Sequence, residues 1–273
     1  MKKWLLGVLF IFMVGVVAGG CGKQVEQTGQ NTGLQKEITV SAAVSLKDAL
    51  GKIKENYEKE HPAVKITYNL GASGSLQKQI EQGAPVDLFI SAGVSQMNQL
   101  DTKGLLERDS RINLLSNELV VVVPKENQKV KKFADLAGPE VKRVALGLPE
   151  TVPAGMYAKE SLVNLKLWDK LQPKLVMAND VRQVLTYVET GNADAGFVYY
   201  SDALRGKDVR VALTVPNNLH KPIVYPAAVL KNAPQKEAAR EFLNYLASPA
   251  GMKVFAEFGL KPGGPAGTAG GRE

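Results

Sequence analysis

The sequence predicts an α/β protein of two lobes with a ligand cleft between them. Three observations carry this. From about Glu37 to about Leu260, short strand-like apolar runs alternate with segments of helical periodicity, as expected for mainly parallel sheets covered by helices. Two runs, 118–124 (ELVVVVP) and 223–230 (IVYPAAVL), are more apolar than their neighbours and suit strands through which the chain crosses between lobes. At 273 residues the chain is long enough for two modest α/β domains. A crossing out near Val121 and back near Val224 makes a discontinuous first lobe, 37–120 plus 223–260, and an inserted second lobe, 121–222.

The elements follow in order. Residues 38–42 (ITVSA) read as a strand, and a helix opens at Ser45, with Leu46, Leu50, Ile53 and Tyr57 at helical spacing. Asp48, three residues after Ser45, is close to a capping-box position. A strand over 64–70 leads through a Gly/Ser-rich turn to a helix from about Ser75. A short buried strand spans 87–91 and a helix 95–103. Strands follow at 118–124 and 144–147, then a helix over 154–165. The strand 174–177 precedes a helix over 181–189. Strands at 195–199, 209–213 and 223–230 come next, then two terminal helices over 236–246 and 250–258. No repeat or coiled-coil pattern is seen.

The ends differ from this core. Lys2 and Lys3 precede an apolar run of about 15 residues, 4–18, followed by small residues. That order predicts a secretory signal peptide over 1–20, since a spanning helix needs ~20 apolar residues. Cys21 is the only cysteine, so no internal disulfide forms. Its place after small residues resembles the lipobox of bacterial lipoproteins, with Ala18 where that pattern usually carries Leu. The resemblance implies a lipidated Cys21 as mature N-terminus, holding the protein to a membrane on its extracytoplasmic side. Residues 21–36 read as a flexible tether and the Gly/Pro-rich 261–273 as a disordered tail.

The formal charge is +7, or +5 once Lys2 and Lys3 are set aside. The basic residues are scattered among acidic ones, and the cluster Lys129, Lys131, Lys132 has no aromatic neighbours suited to stacking bases. Nucleic acid is therefore not expected as a partner, and the chain is read as a monomer. His61 and His220 stand too far apart in sequence to suggest a metal site or a catalytic triad.

Five segments place small or hydroxylated residues where a strand runs into a helix. Helix N-termini carry unpaired N–H groups and about half a positive charge, so they bind anions without Lys or Arg. Ser45 stands at the first such junction and Ser73 at the second. Each either caps its own helix or faces a ligand. Pro153 suits a first helical turn, leaving Ala154 to offer a backbone N–H unobstructed by a long side chain. Asn179 or Asp180 caps the helix whose first turn contains Val181. Tyr199 ends a buried strand, with its phenol turned either to water or to a ligand.

The runs AAVSLKDA, SGSLQKQIEQGAPVDLFISA, LVVVVP, PETVPAGMYAKESL, LWDKLQPKLV, NDVRQVLTYVETGNADAGFVYYSDA and YPAAVL occur in this order over about 220 residues. In order and spacing they resemble the molybdate-binding proteins of bacterial ABC importers. The resemblance implies the type II periplasmic binding fold, molybdate or tungstate as ligand, an ABC permease as partner and no cofactor. It further implies that the ion is held by hydrogen bonds from Ser45, Ser73, the backbone N–H groups of Ala154 and Val181, and the Tyr199 hydroxyl, with no direct metal ligand. Asp48, Asp180 and Asp202 are then expected to cap helices or support the donors. Closure is expected to bring Ser45 and Ser73 onto Ala154 and Val181.

A donor-only pocket suits a tetrahedral dianion, which offers only acceptors. Hydrogen phosphate brings a proton that such a pocket leaves unpaired, at roughly 1–3 kcal/mol. Sulfate has the same charge and shape, so a receptor for another oxyanion is the alternative. An anion-transferring enzyme lacks a nucleophile–base pair or paired carboxylates at suggestive spacing, and the chain is not expected to be an enzyme.

Overall fold

The computed structural model describes residues 35–264. The signal segment, Cys21, most of the tether and the tail beyond Gly264 lie outside the described residues. Among the described residues no helix is long and apolar enough to cross a membrane.

Two sheets organise the chain, each built around a βαβαβ unit. The first unit is β1 (Lys36–Ala43), α1 (Lys47–Glu60), β2 (Val64–Gly71), α2 (Ser73–Glu81) and β3 (Leu88–Ile90). After α3 (Val94–Thr102), β4 (Ile112–Ser116) ends the first stretch of chain in this sheet. The second unit follows β5 (Leu119–Pro124): β6 (Val144–Gly147), α4 (Pro153–Asn164), the short α5 (Trp168–Leu171), β7 (Leu175–Ala178), α6 (Val181–Glu189) and β8 (Ala195–Tyr199). Then come α7 (Tyr200–Ala203), β9 (Val209–Thr214), β10 (Val224–Val229), α8 (Lys236–Ala247), α9 (Pro249–Glu257) and β11 (Lys261–Pro262).

The strand orders are β11-β4-β10-β3-β1-β2 and β7-β6-β8-β5-β9. In each unit the first strand lies parallel between the second and third. In each sheet an antiparallel strand is laid against the third by chain that has just left the other sheet: β10 on β3 and β5 on β8. The two apolar runs expected to cross thus each lie within one sheet, directly after a crossing. The crossings themselves are the segments 117–118 and 215–223. They run side by side, with Asn117 N–H donating to the Ile223 carbonyl at 3.3 Å.

The patterning explains the layers. Val120, Val121, Val122 and Val123 of β5 are fully buried, as expected where helices cover both faces of a sheet. Helix α6 buries Val181, Val184, Leu185 and Val188, one stripe at helical spacing, each side chain contributing roughly 1.5–3 kcal/mol on burial. Helix α4 starts so close to β6 that a Cβ on Gly155 would stand 1.8 Å from the Gly147 carbonyl oxygen. Only glycine permits that approach.

Three details differ from the sequence expectation. Strand β4 buries Leu114 and Leu115 in succession and leaves Ile112, Asn113 and Ser116 half-buried, so it has no clean alternation to detect. Its partner β10 pairs through an irregularity at Tyr225/Pro226. At both ends the sheet reaches further than expected: Lys36 already pairs with Val64, and Lys261–Pro262 add a short edge strand to β4.

Candidate functional site

All five candidate residues meet at one small cavity. Ser45, Ser73, Ala154, Val181 and Tyr199 line it together with Ala43, Val44, Gly71, Ala72, Ala92, Val152 and Pro153. Each candidate follows or ends a strand of a βαβαβ unit: β1 and β2 in the first sheet, β6, β7 and β8 in the second. Ligands of open α/β sheets bind at such carboxyl ends. The cavity measures about 10 Å³, room for roughly one water-sized sphere. Among the described residues no charged side chain lines it.

A larger groove of about 800 Å³ lies between α3 and α4, walled by Asn98, Tyr157, Val163 and Pro222 among others. None of the five candidates borders it. The smaller cavity is distinguished by convergent donors rather than by volume.

The helix starts at the cavity are mostly uncapped. No side chain caps the 3-10 turn Val44–Leu46, α1, α2 or α4. The expectation that Ser45 or Ser73 caps its own helix therefore fails, because both hydroxyls are held by tertiary partners instead. Ser45 Oγ lies 3.1 Å from the Tyr225 hydroxyl, and Ser73 Oγ accepts from the Ala92 N–H at 2.9 Å. Helix α2 begins at Ser73, two residues earlier than its periodicity suggested. Asp180 does cap α6, accepting from the Gln183 N–H at 2.9 Å. Pro153 opens α4 at its first position, and Ala154 and Val181 lie in first turns whose N–H groups have no partner in their own helix.

Tyr199 is 1% exposed and donates to the Ala92 carbonyl at 3.3 Å. Burial pushes its phenol well above the usual range, helped by Tyr225, Tyr157 and Asp202, so it remains a protonated donor. Ala92, at the end of β3, thus touches hydroxyls from both halves. Its segment follows the pattern of the other junctions, but it has no polar side chain to attract notice.

Arg182 had no obvious signal in the sequence, yet it ties the halves together. Its guanidinium pairs with Asp48 on α1, and its Nε stands 2.8 Å from Asp202 Oδ1. That second approach lacks hydrogen-bond alignment, leaving both atoms without a hydrogen-bond partner. Asp202 is completely buried, and burial pushes its carboxyl up to about 7, with Asp48 and Asp180 adding to the rise and Arg182 opposing it. Asp48 and Asp202 thus serve the lobe contact, and Asp180 serves as a cap. A direct backbone bond also joins the halves, from Gly74 N–H to the Thr151 carbonyl at 2.9 Å. A Cβ on Gly74 would approach that oxygen to 2.7 Å.

His61 stacks on Tyr57 and His220 packs against Tyr157, and neither borders the cavity. Among the described residues no group of three or more His, Cys, Asp or Glu side chains is placed to hold a metal ion.

Comparison with known proteins identifies the lineage. The family model of the bacterial extracellular solute-binding proteins matches residues 38–261. The chain belongs to this family. It is 40% identical over 82% of its length, and 88% of the relative's, to the molybdate-binding protein ModA of Escherichia coli. It is 45% identical over 95% of its length, and 98% of the relative's, to YvgL of Bacillus subtilis, provisionally described as an ABC transporter substrate-binding lipoprotein. Among solved structures it resembles the substrate-binding domain of a provisionally described molybdenum ABC transporter from Clostridium difficile. That match has a TM-score of 0.66 and 49% identity and covers 83% of this chain and 98% of that one. The fold is that of the type II periplasmic binding proteins. Members of the family bind solutes for transport.

Proposed function

We propose that this protein captures molybdate, and tungstate with it, outside the cytoplasm and delivers the ion to an ABC permease. The observation that carries the reading is the convergence of Ser45, Ser73, Ala154, Val181 and Tyr199 on one small cavity that no charged side chain lines among the described residues. The names of its relatives support the same ligand. Hydroxyls and first-turn amides present donors to an ion that has only acceptors. Neutral donors also avoid burying a compact opposite charge, whose desolvation is costly. The ion enters when the halves part and is enclosed when Gly74 and Arg182 bring them together. Cys21 carries the lipid that keeps the receptor, a monomer, at the membrane surface beside its permease. The relative described as a lipoprotein supports this anchor.

Calorimetric titration of residues 22–273 with molybdate, tungstate, sulfate and phosphate tests the reading. Tight one-to-one binding of the first two, with weak or absent binding of the others, is expected. Preferred binding of sulfate would assign the cavity to another oxyanion.

A further inference from the structure

The hydroxyl of a serine both donates and accepts, so a donor-only site requires something to orient Ser45. A chain of hydrogen bonds does this, and its direction is set from one end. The Glu118 N–H, which can only donate, is accepted by Asn117 Oδ1 at 2.9 Å. The Asn117 amide is thereby oriented, and its Nδ2 donates to Ser201 Oγ at 2.9 Å and to the Tyr225 hydroxyl oxygen at 3.2 Å. Both Nδ2 hydrogens are then committed. Tyr225 is fully buried, and its phenol, already accepting, has a single proton to give. Ser45 Oγ stands 3.1 Å away. Burial holds that phenol well above the usual range, so it does not lose its proton. A Ser45 that accepts from Tyr225 has its own proton left for the cavity.

Tyr199 lies beside this chain, its ring 5.6 Å from that of Tyr225. The Tyr199 hydroxyl gives its own proton to the Ala92 carbonyl at 3.3 Å. Ser73 is oriented independently by the Ala92 N–H at 2.9 Å.

We infer that Asn117 and Tyr225 form a polarity relay. It makes Ser45 a donor toward the bound anion, and so selects unprotonated tetrahedral oxyanions over protonated ones. This rests on the oxyanion-receptor reading above. Neither residue borders the cavity; they are positioning residues that act through Ser45. Asn117 also sits in the segment where the chain crosses between sheets, so the crossing point itself sets the polarity of the site.

The test measures affinities for molybdate and for hydrogen phosphate at pH 8, where phosphate keeps one proton, in the wild-type protein and three variants. Tyr225→Phe removes the proton given to Ser45. Molybdate affinity should fall ~3–10-fold while phosphate binding strengthens. Asn117→Asp keeps the bond from Glu118 but accepts from Tyr225, so Tyr225 accepts from Ser45 and the serine turns a lone pair to the cavity. The molybdate-to-phosphate ratio should then drop by ~10-fold or more. Ser201→Ala removes the other Asn117 contact without reversing polarity, and the ratio should hold. If Tyr225→Phe shows no cooperative melt, Asn117→Asp decides the matter. Equal weakening of both anions, or phosphate still excluded from both relay variants, overturns the relay while leaving the receptor intact. Failure of the wild-type protein to bind molybdate overturns the receptor and the relay together.

Discussion

The two halves of the cavity are built on the same strand order but use different chemistry. The half built on the first sheet contributes serine hydroxyls, each held from behind by a partner outside its own helix. The half built on the second sheet offers first-turn amides at Ala154 and Val181, together with Tyr199. An amide N–H can only donate, whereas a hydroxyl must be told which way to point. On the proposed reading, selectivity is adjustable at the hydroxyls, Tyr199 included, and built into the backbone at Ala154 and Val181. Side-chain substitution should reach Ser45, Ser73 and Tyr199 and largely miss the two amides.

The contact that joins the halves should give the largest effect. Arg182→Gln removes the cation beside a completely buried carboxyl, and a loss of ~3 kcal/mol is expected, read from denaturant melts. The pH dependence sharpens this. Asp202 titrates near 7 in the folded protein against 3.8 for the free side chain, so the folded state holds its proton more tightly. Its contribution to stability is full below about pH 4, is lost as pH rises through about 7, and does not return above that. The Arg182→Gln defect should be greater at pH 8 than at pH 5, and Asp202→Asn should gain on the wild type over the same rise. A defect independent of pH would place the Arg182 effect elsewhere.

Next in size is Ser73→Ala. It removes a hydroxyl donor and leaves the Ala92 N–H without its acceptor, and molybdate affinity should fall ~10–100-fold. Gly74→Ala wedges a methyl against the Thr151 carbonyl. Small-angle scattering with saturating molybdate should then show less compaction than in the wild type. Smallest is Val181→Ala, which keeps the backbone donor and should alter affinity less than ~3-fold. If Val181→Ala cost as much as Ser73→Ala, the contrast between the halves would be wrong.

Local pattern and distant geometry divide what could be read in advance. Each candidate donor stands where a strand run gives way to helical periodicity, and that junction is visible within about a dozen residues. The five candidates accordingly meet at one cavity. The bonds that hold and orient them are not local. Ser45 meets Tyr225 across 180 residues, and Arg182 meets Asp48 across 134. Read alone, Ser45 looks like a cap because caps and ligand donors use the same residue type at the same position. Only the tertiary partner shows which role its hydroxyl takes. Strand β4 shows no period in the sequence because it buries the consecutive Leu114 and Leu115 and its partner is irregular. The crossing points escaped because turns, not apolar runs, carry the chain from one sheet to the other.

The most direct test is a crystal structure of the protein with tungstate, whose anomalous scattering locates the metal atom without reference to the protein. One strong peak is expected in the cavity between Ser45, Ser73, Ala154, Val181 and Tyr199, with oxyanion oxygens ~2.6–3.2 Å from their donors. A peak in the groove between α3 and α4, or none in the cavity at saturating tungstate, would contradict it.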